Sequence, residues 1–187
     1  MGAFLPALLT PNRPQQMNSI TNQAFDRDGG SIMVTPDPLA AVLFGGLVAG
    51  VLDALDALVA FGLLGSTPLQ IYQFVASGAL GPGAFQGGLG TALLGLGFHF
   101  FIAFALAAFF YLVTRLVPRV TQHWVAAGLL YGVGAYFVMS YIVLPHSAAP
   151  KSPFSWPLFL NGVIGHAIFV GLPIAWFAAR SARVQSK

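Results

Sequence analysis

The 187-residue chain contains no cysteine and no glutamate, and only 7% of its residues are charged. The missing cysteines exclude a disulfide framework, a thiolate metal site and covalent c-type haem attachment. The scarcity of charge excludes an ordinary water-soluble domain, in which about a quarter of residues are charged. Its acids are Asp26, Asp28, Asp37, Asp53 and Asp56. The formal charge of +3 is not a nucleic-acid footprint, because the basic residues sit in the tails and at the ends of apolar runs rather than in a patch. No nucleic-acid partner is expected. A secretory leader is not evident either: MGAFLPALLTPNRPQQ lacks a basic start, and Pro6 and Pro11 interrupt its short apolar run.

What the chain does have is apolar length. Hydrophobic residues make up 57% of it, gathered into four runs at about 39–64, 88–114, 122–144 and 157–179, each long enough to cross a bilayer. The expected fold is therefore all-α: a polytopic four-transmembrane-helix bundle over residues 39–179. A polar tail precedes it over 1–38, and a basic tail follows over 180–187. Between the first two spans, Ser66–Thr67–Pro68 reads as a helix N-cap followed by proline at the first helical position. The helix it opens, 68–80, is roughly 20 Å long, too short to span, and is read as an interfacial or re-entrant segment closed by Gly81–Pro82–Gly83.

The spans carry stripes of small residues, which let helices approach closely in lipid. In the first, Gly46, Ala49, Gly50, Asp53, Asp56, Ala57 and Ala60 are expected to face protein, with Val48, Leu52, Leu55, Val59 and Leu63 facing lipid. Thr91, Gly95, His99 and Ala103 form the corresponding ladder in the second span; Gly128, Gly132, Tyr136 and Ser140 form it in the third. Pro145 is expected to end the third span and Pro173 to kink the fourth. Arg13, Arg27, Arg115, Arg119, Arg180, Arg183 and Lys187 fall on one side of such a bundle and only Lys151 on the other. The positive-inside rule then places both termini of a multi-pass protein in the cytoplasm.

Charged and polar groups inside such spans are costly and need partners. Asp53, His99, His166 and Tyr136 each lie about 13–15 residues from the cytoplasmic end of their span, or roughly 20 Å deep. Asp56 and Asn161 lie about one turn further out. These six residues are expected to form one intramembrane polar layer, with Asp53 contacting His99, His166 or both. His123 and His146 fall outside it as loop residues. No Ser/His/Asp constellation stands out, and the Gly81–Pro82–Gly83 and Gly87–Gly88 turns lack the strand and lysine of a nucleotide loop, so no enzymatic activity is expected.

Three readings of the layer follow. In the first it is polar glue in a structural or accessory subunit of a membrane complex. In the second, Asp53, His99 and His166 handle protons or ions in a carrier. In the third and least favoured, His99 and His166 hold a b-type haem, or join Asp53 around a metal; no cofactor is the primary expectation.

The segments IYQFVASGALGPGAFQGGLGTALLGLGFHFFIAF and LNGVIGHAIFVGLPIA resemble a group of small four-helix bacterial inner-membrane proteins of unassigned function. The features shared with that group are Ala76, Ser77, Gly78, Leu80, Gly81 and His99, within a likeness covering about residues 40–179. The resemblance implies fold and location and carries no activity. The 1–38 tail lies outside it. Its apolar anchors Phe4, Leu5, Leu8, Leu9, Ile20, Phe25 and Ile32 have no period of helix or strand. They are expected to bind a partner subunit or a second copy rather than the chain's own bundle, unless translation starts at Met33. The lipid bilayer is the other expected partner.

Overall fold

A computed structural model describes residues 38–183, with side chains to Ser181. The partner-binding tail expected over 1–38 thus lies outside the described residues but for its last position, as do residues 184–187 of the basic tail. Among the described residues there is no strand, and four helices are long and apolar enough to cross a membrane. They are α1 (Pro38–Gly62), α3 (Gly88–Leu116), α4 (Trp124–His146) and α5 (Trp156–Ser181), with the short α2 (Pro68–Leu80) between the first two. At 23 to 29 residues the long helices reach about 34–44 Å, more than the ~30 Å hydrocarbon core of a bilayer. The protein is an all-α bundle of the multi-pass membrane type.

Side-chain size governs the packing. The buried apolar residues are mostly alanines, joined by Ile71, Phe110, Val170 and Ile174, whereas Leu, Val and Phe crowd the outer surface. Burying large side chains gives no advantage where the surrounding medium is itself apolar, so small residues bring the backbones together instead. Phe100 and Phe104 of α3 lie across Gly50 and Gly46 of α1. Gly128 and Gly132 of α4 meet Gly171 and the His166 carbonyl of α5 with no room for a Cβ. On α1 the buried line is Ala41, Gly45, Gly46, Ala49, Gly50 and Ala54, and the exposed line is Leu43, Leu47, Val51, Leu55 and Val59. Val48 and Leu52, expected on the lipid face, are half-buried. Gly46, Ala49 and Gly50 of the small-residue stripe are all buried, and α5 widens the interface to Gly45 through Ile174 and Phe177.

The N-terminus of α2 is closed by a capping box. Thr67 Oγ1 accepts from the Gln70 amide at 3.3 Å, and Gln70 Oε1 accepts from the Thr67 amide at 2.9 Å. Buried Gln73 donates to the Gly88 carbonyl at 3.0 Å, fastening α2 to the start of α3. Gly81, at φ 68°, then reverses the chain, a backbone conformation that favours glycine. The loop after α4 closes on the same end, where the Ala148 amide donates to the Gly78 carbonyl at 2.9 Å.

Two helices widen along their length. In α4 a π turn occupies Met139–Val143, and in α5 another occupies His166–Gly171. Each ends two residues before a proline, Pro145 and Pro173. Proline cannot donate to the carbonyl four residues back and its ring crowds that carbonyl; a local widening to i→i+5 bonding relieves both problems. The expected stop at Pro145 is therefore a further short turn, Leu144–His146.

Candidate functional site

The polar residues of α1, α3 and α5 converge where the glycines let these helices approach. Asp53 Oδ2 lies 4.0 Å from His99 Nδ1, and Asp53 Oδ1 lies 3.7 Å from His166 Nδ1. One carboxylate thus stands between two imidazoles from different helices. All three side chains are mostly buried, between 14% and 22% exposed, so solvent screens their interaction weakly.

Hydrogen bonding identifies the His99 tautomer. Its Nε2 lies 2.8 Å from the Gly50 carbonyl; a carbonyl can only accept, so Nε2 carries the hydrogen. In the neutral ring the lone pair is then on Nδ1, the atom aimed at Asp53. Two acceptors face each other across 4.0 Å, and the arrangement is satisfied only by a proton on one of them or by a donor placed between. His166 repeats the theme, since its Nδ1 is buried without a hydrogen-bond partner and points to the other oxygen of the same carboxylate. The His166 ring is positioned by Tyr136, whose ring meets it edge-on at 5.5 Å between centroids. It also sits on the first residue of the α5 π turn.

Asp56 is placed differently. Asn161 Nδ2 donates to its Oδ2 at 2.8 Å, and Gly165 leaves room for the carboxylate: a Cβ built there would lie 2.6 Å from the same oxygen. Asp56 therefore has a closed bond to α5 where Asp53 has open approaches to α3 and α5. Each of the six residues named from the sequence has a contact in this region, Tyr136 through its ring alone.

Sequence reasoning missed two contributors. Tyr72 on α2 stacks edge-on toward His99 at 6.4 Å, and burial pushes its hydroxyl above the ordinary range, with the Asp53 charge adding to the effect. The Gly50 carbonyl that orients His99 is a backbone atom, and no residue type signals it. Beside the layer is a cavity of about 130 Å³ lined by all five helices. Asp53, His99 and His166 supply its polar lining; Ile102, Leu106 and Val170 belong to its apolar wall.

The haem reading does not fit this geometry. His99 Nε2 is committed to Gly50, both Nδ1 atoms face Asp53, and the cavity is well below the ~300 Å³ at which cofactor-sized pockets begin. Among the described residues no three His, Asp, Glu or Cys side chains are grouped so as to hold a metal ion. His123 and His146 are exposed, away from the layer, and His146 Nδ1 bonds the Ile142 carbonyl. No family model, curated protein or solved structure matches the chain.

Proposed function

We propose that Asp53, His99 and His166 form a proton-handling site in a small bacterial inner-membrane protein with both termini in the cytoplasm. The observation that carries this reading is the open Asp53 cluster: one carboxylate facing two imidazole Nδ1 atoms at 3.7 and 4.0 Å, neither of them closed into a direct hydrogen bond. A group serving only as glue gains by closing its bonds, as Asp56 does with Asn161. A group that must take up and release a proton gains from competing acceptors at similar distance, because the proton can move between them without a large loss on either side. Asp53 is the shared acceptor, His99 is oriented through Gly50, and His166 supplies the alternative position.

Orientation is supported by charge. Arg115, Arg119 and Arg180 flank one end of the long helices and Lys151 the other, and cytoplasmic loops are the ones enriched in Arg and Lys. The Pro118–Thr121 turn packs against α5 near its C-terminal end, where the Arg180 guanidinium lies 5.2 Å from the Trp176 ring centroid.

The test is proton flux into proteoliposomes carrying an imposed pH gradient, followed with a trapped pH-sensitive dye. Wild-type protein collapses the gradient faster than empty liposomes, and Asp53→Asn, which keeps shape while removing the ionisable oxygen, does not. Equal flux through both proteins would refute the reading and return the layer to the accessory-subunit role. Single cysteines at Ser66, Thr121 and Ser152 test the orientation: Thr121→Cys labels from the cytoplasmic side, and Ser66→Cys and Ser152→Cys from the other.

A further inference from the structure

Five helices line the cavity beside Asp53. Ala49 and Gly50 precede Asp53 on α1, Ile102, Ala103 and Leu106 follow His99 on α3, and Val170 follows His166 on α5. These residues lie toward the N-terminus of α1 and the ends of α3 and α5 that carry Arg115 and Arg180, and Val75 of α2 and Met139 of α4 complete the lining. The cavity is thus a short chamber with acceptors on part of its lining and apolar walls elsewhere, and at about 130 Å³ it approaches the ~150 Å³ at which an apolar cavity admits benzene.

We propose that this chamber binds a small primary alkylamine as its ammonium ion, with the head at Asp53 and a short tail against Ile102, Leu106 and Val170. The inference rests on the reading of the Asp53 layer as the functional site. With the imidazoles neutral, the layer presents acceptors: both Asp53 oxygens and the His99 Nδ1 lone pair, with His166 Nδ1 unpartnered beside them. An ammonium head supplies three donors and the positive charge that the carboxylate lacks in a closed bond. An alcohol of the same length offers one donor and no charge, and a carboxylate offers repulsion. Room for about six heavy atoms selects a tail of roughly four carbons over longer ones.

An ammonium and a proton compete for the same acceptors, so binding weakens as pH falls. The groups facing Asp53 in this exchange are His99 from α3, His166 from α5, Asp56 on α1 itself, Tyr72 from α2 and, through the His166 ring, Tyr136 from α4.

Isothermal titration of the full chain in lipid nanodiscs, with no gradient imposed, tests the inference. n-Butylamine binds, n-butanol binds at least about tenfold more weakly, and butyrate does not bind, as expected for loss of a charge-assisted contact. Along the series from ethylamine to octylamine, affinity passes through a maximum near four to six carbons. Asp53→Asn, checked for native helix content, loses the butylamine affinity by a similar factor. Equal binding of butylamine and butanol, or affinity rising through octylamine as simple partitioning into lipid would give, overturns the proposal. Proton flux in amine-free liposomes with no amine binding refutes this inference alone; amine binding without flux refutes only the proton reading.

Discussion

Asp53 and Asp56 stand three residues apart on one helix, and the bundle treats them in opposite ways. Asp56 accepts from Asn161 at 2.8 Å and sits over Gly165. Asp53, one turn away, has two imidazoles at 3.7 and 4.0 Å and a cavity at its side. Both are carboxylates in spans where charge is costly, so residue type does not separate them. What separates them is whether the facing group can change its own protonation. An amide cannot, and the Asp56 contact is fixed; an imidazole can, and the Asp53 contact has alternatives.

The most severe way to break this comparison is to neutralise each carboxylate in turn. Asp53→Asn is expected to abolish dye-reported proton flux, whereas Asp56→Asn retains most of it and loses stability instead. If the two substitutions reduce flux equally, the distinction between them fails. The next effect is steric. Gly165→Ala places a methyl against the Asp56 carboxylate, and overpacking of this kind typically costs about 1–3 kcal/mol. Denaturant unfolding in mixed micelles should show that loss, with flux per folded molecule little changed. A smaller effect is expected from Asn161→Ala, which removes the donor to Asp56 and should cost about 0.6 kcal/mol, at most ~1.7, as interhelical hydrogen bonds in membranes do. It sharpens the comparison, since Asp56 without its amide partner should still carry no flux. Smallest of all, Tyr131→Phe removes the bond from its hydroxyl to the Leu106 carbonyl at 2.7 Å. That change should cost a similar ~0.6 kcal/mol or less, with the polar layer intact by flux.

Legibility in the sequence followed the physics that produced each feature. The spans are visible because bilayer thickness demands a minimum apolar length, and their expected limits fall within about two residues of the helices, as at Gly62 and Gly88. The α2 start is visible because capping is local: Thr67, Pro68 and Gln70 suffice to state it. The depth of Asp53, His99 and His166 is a matter of counting along helices with a fixed rise. What counting omits is rotation and hydrogen-bond direction. The half-burial of Val48 and Leu52 and the packing of α5 on Gly45 are tertiary effects. The tautomer of His99 depends on the Gly50 carbonyl, and the place of Tyr72 depends on how a short helix crosses α3. None of these leaves a periodic trace in the residues themselves.

The π turns ahead of Pro145 and Pro173 bear on chain length as well as on backbone shape. A π turn closes its hydrogen-bonded ring over one residue more than an α turn, so each widening stores one residue beyond what a regular helix needs. Around the α4 and α5 turns, a one-residue deletion can be absorbed by reverting to α geometry, leaving the flanking faces in register. The same deletion elsewhere in a span would rotate everything beyond it by about 100°. His166 opens one of these reserves. Deletion-tolerant positions and the proposed proton site therefore share the same stretch of α5, and changes of length there would re-aim an imidazole while sparing the bundle around it.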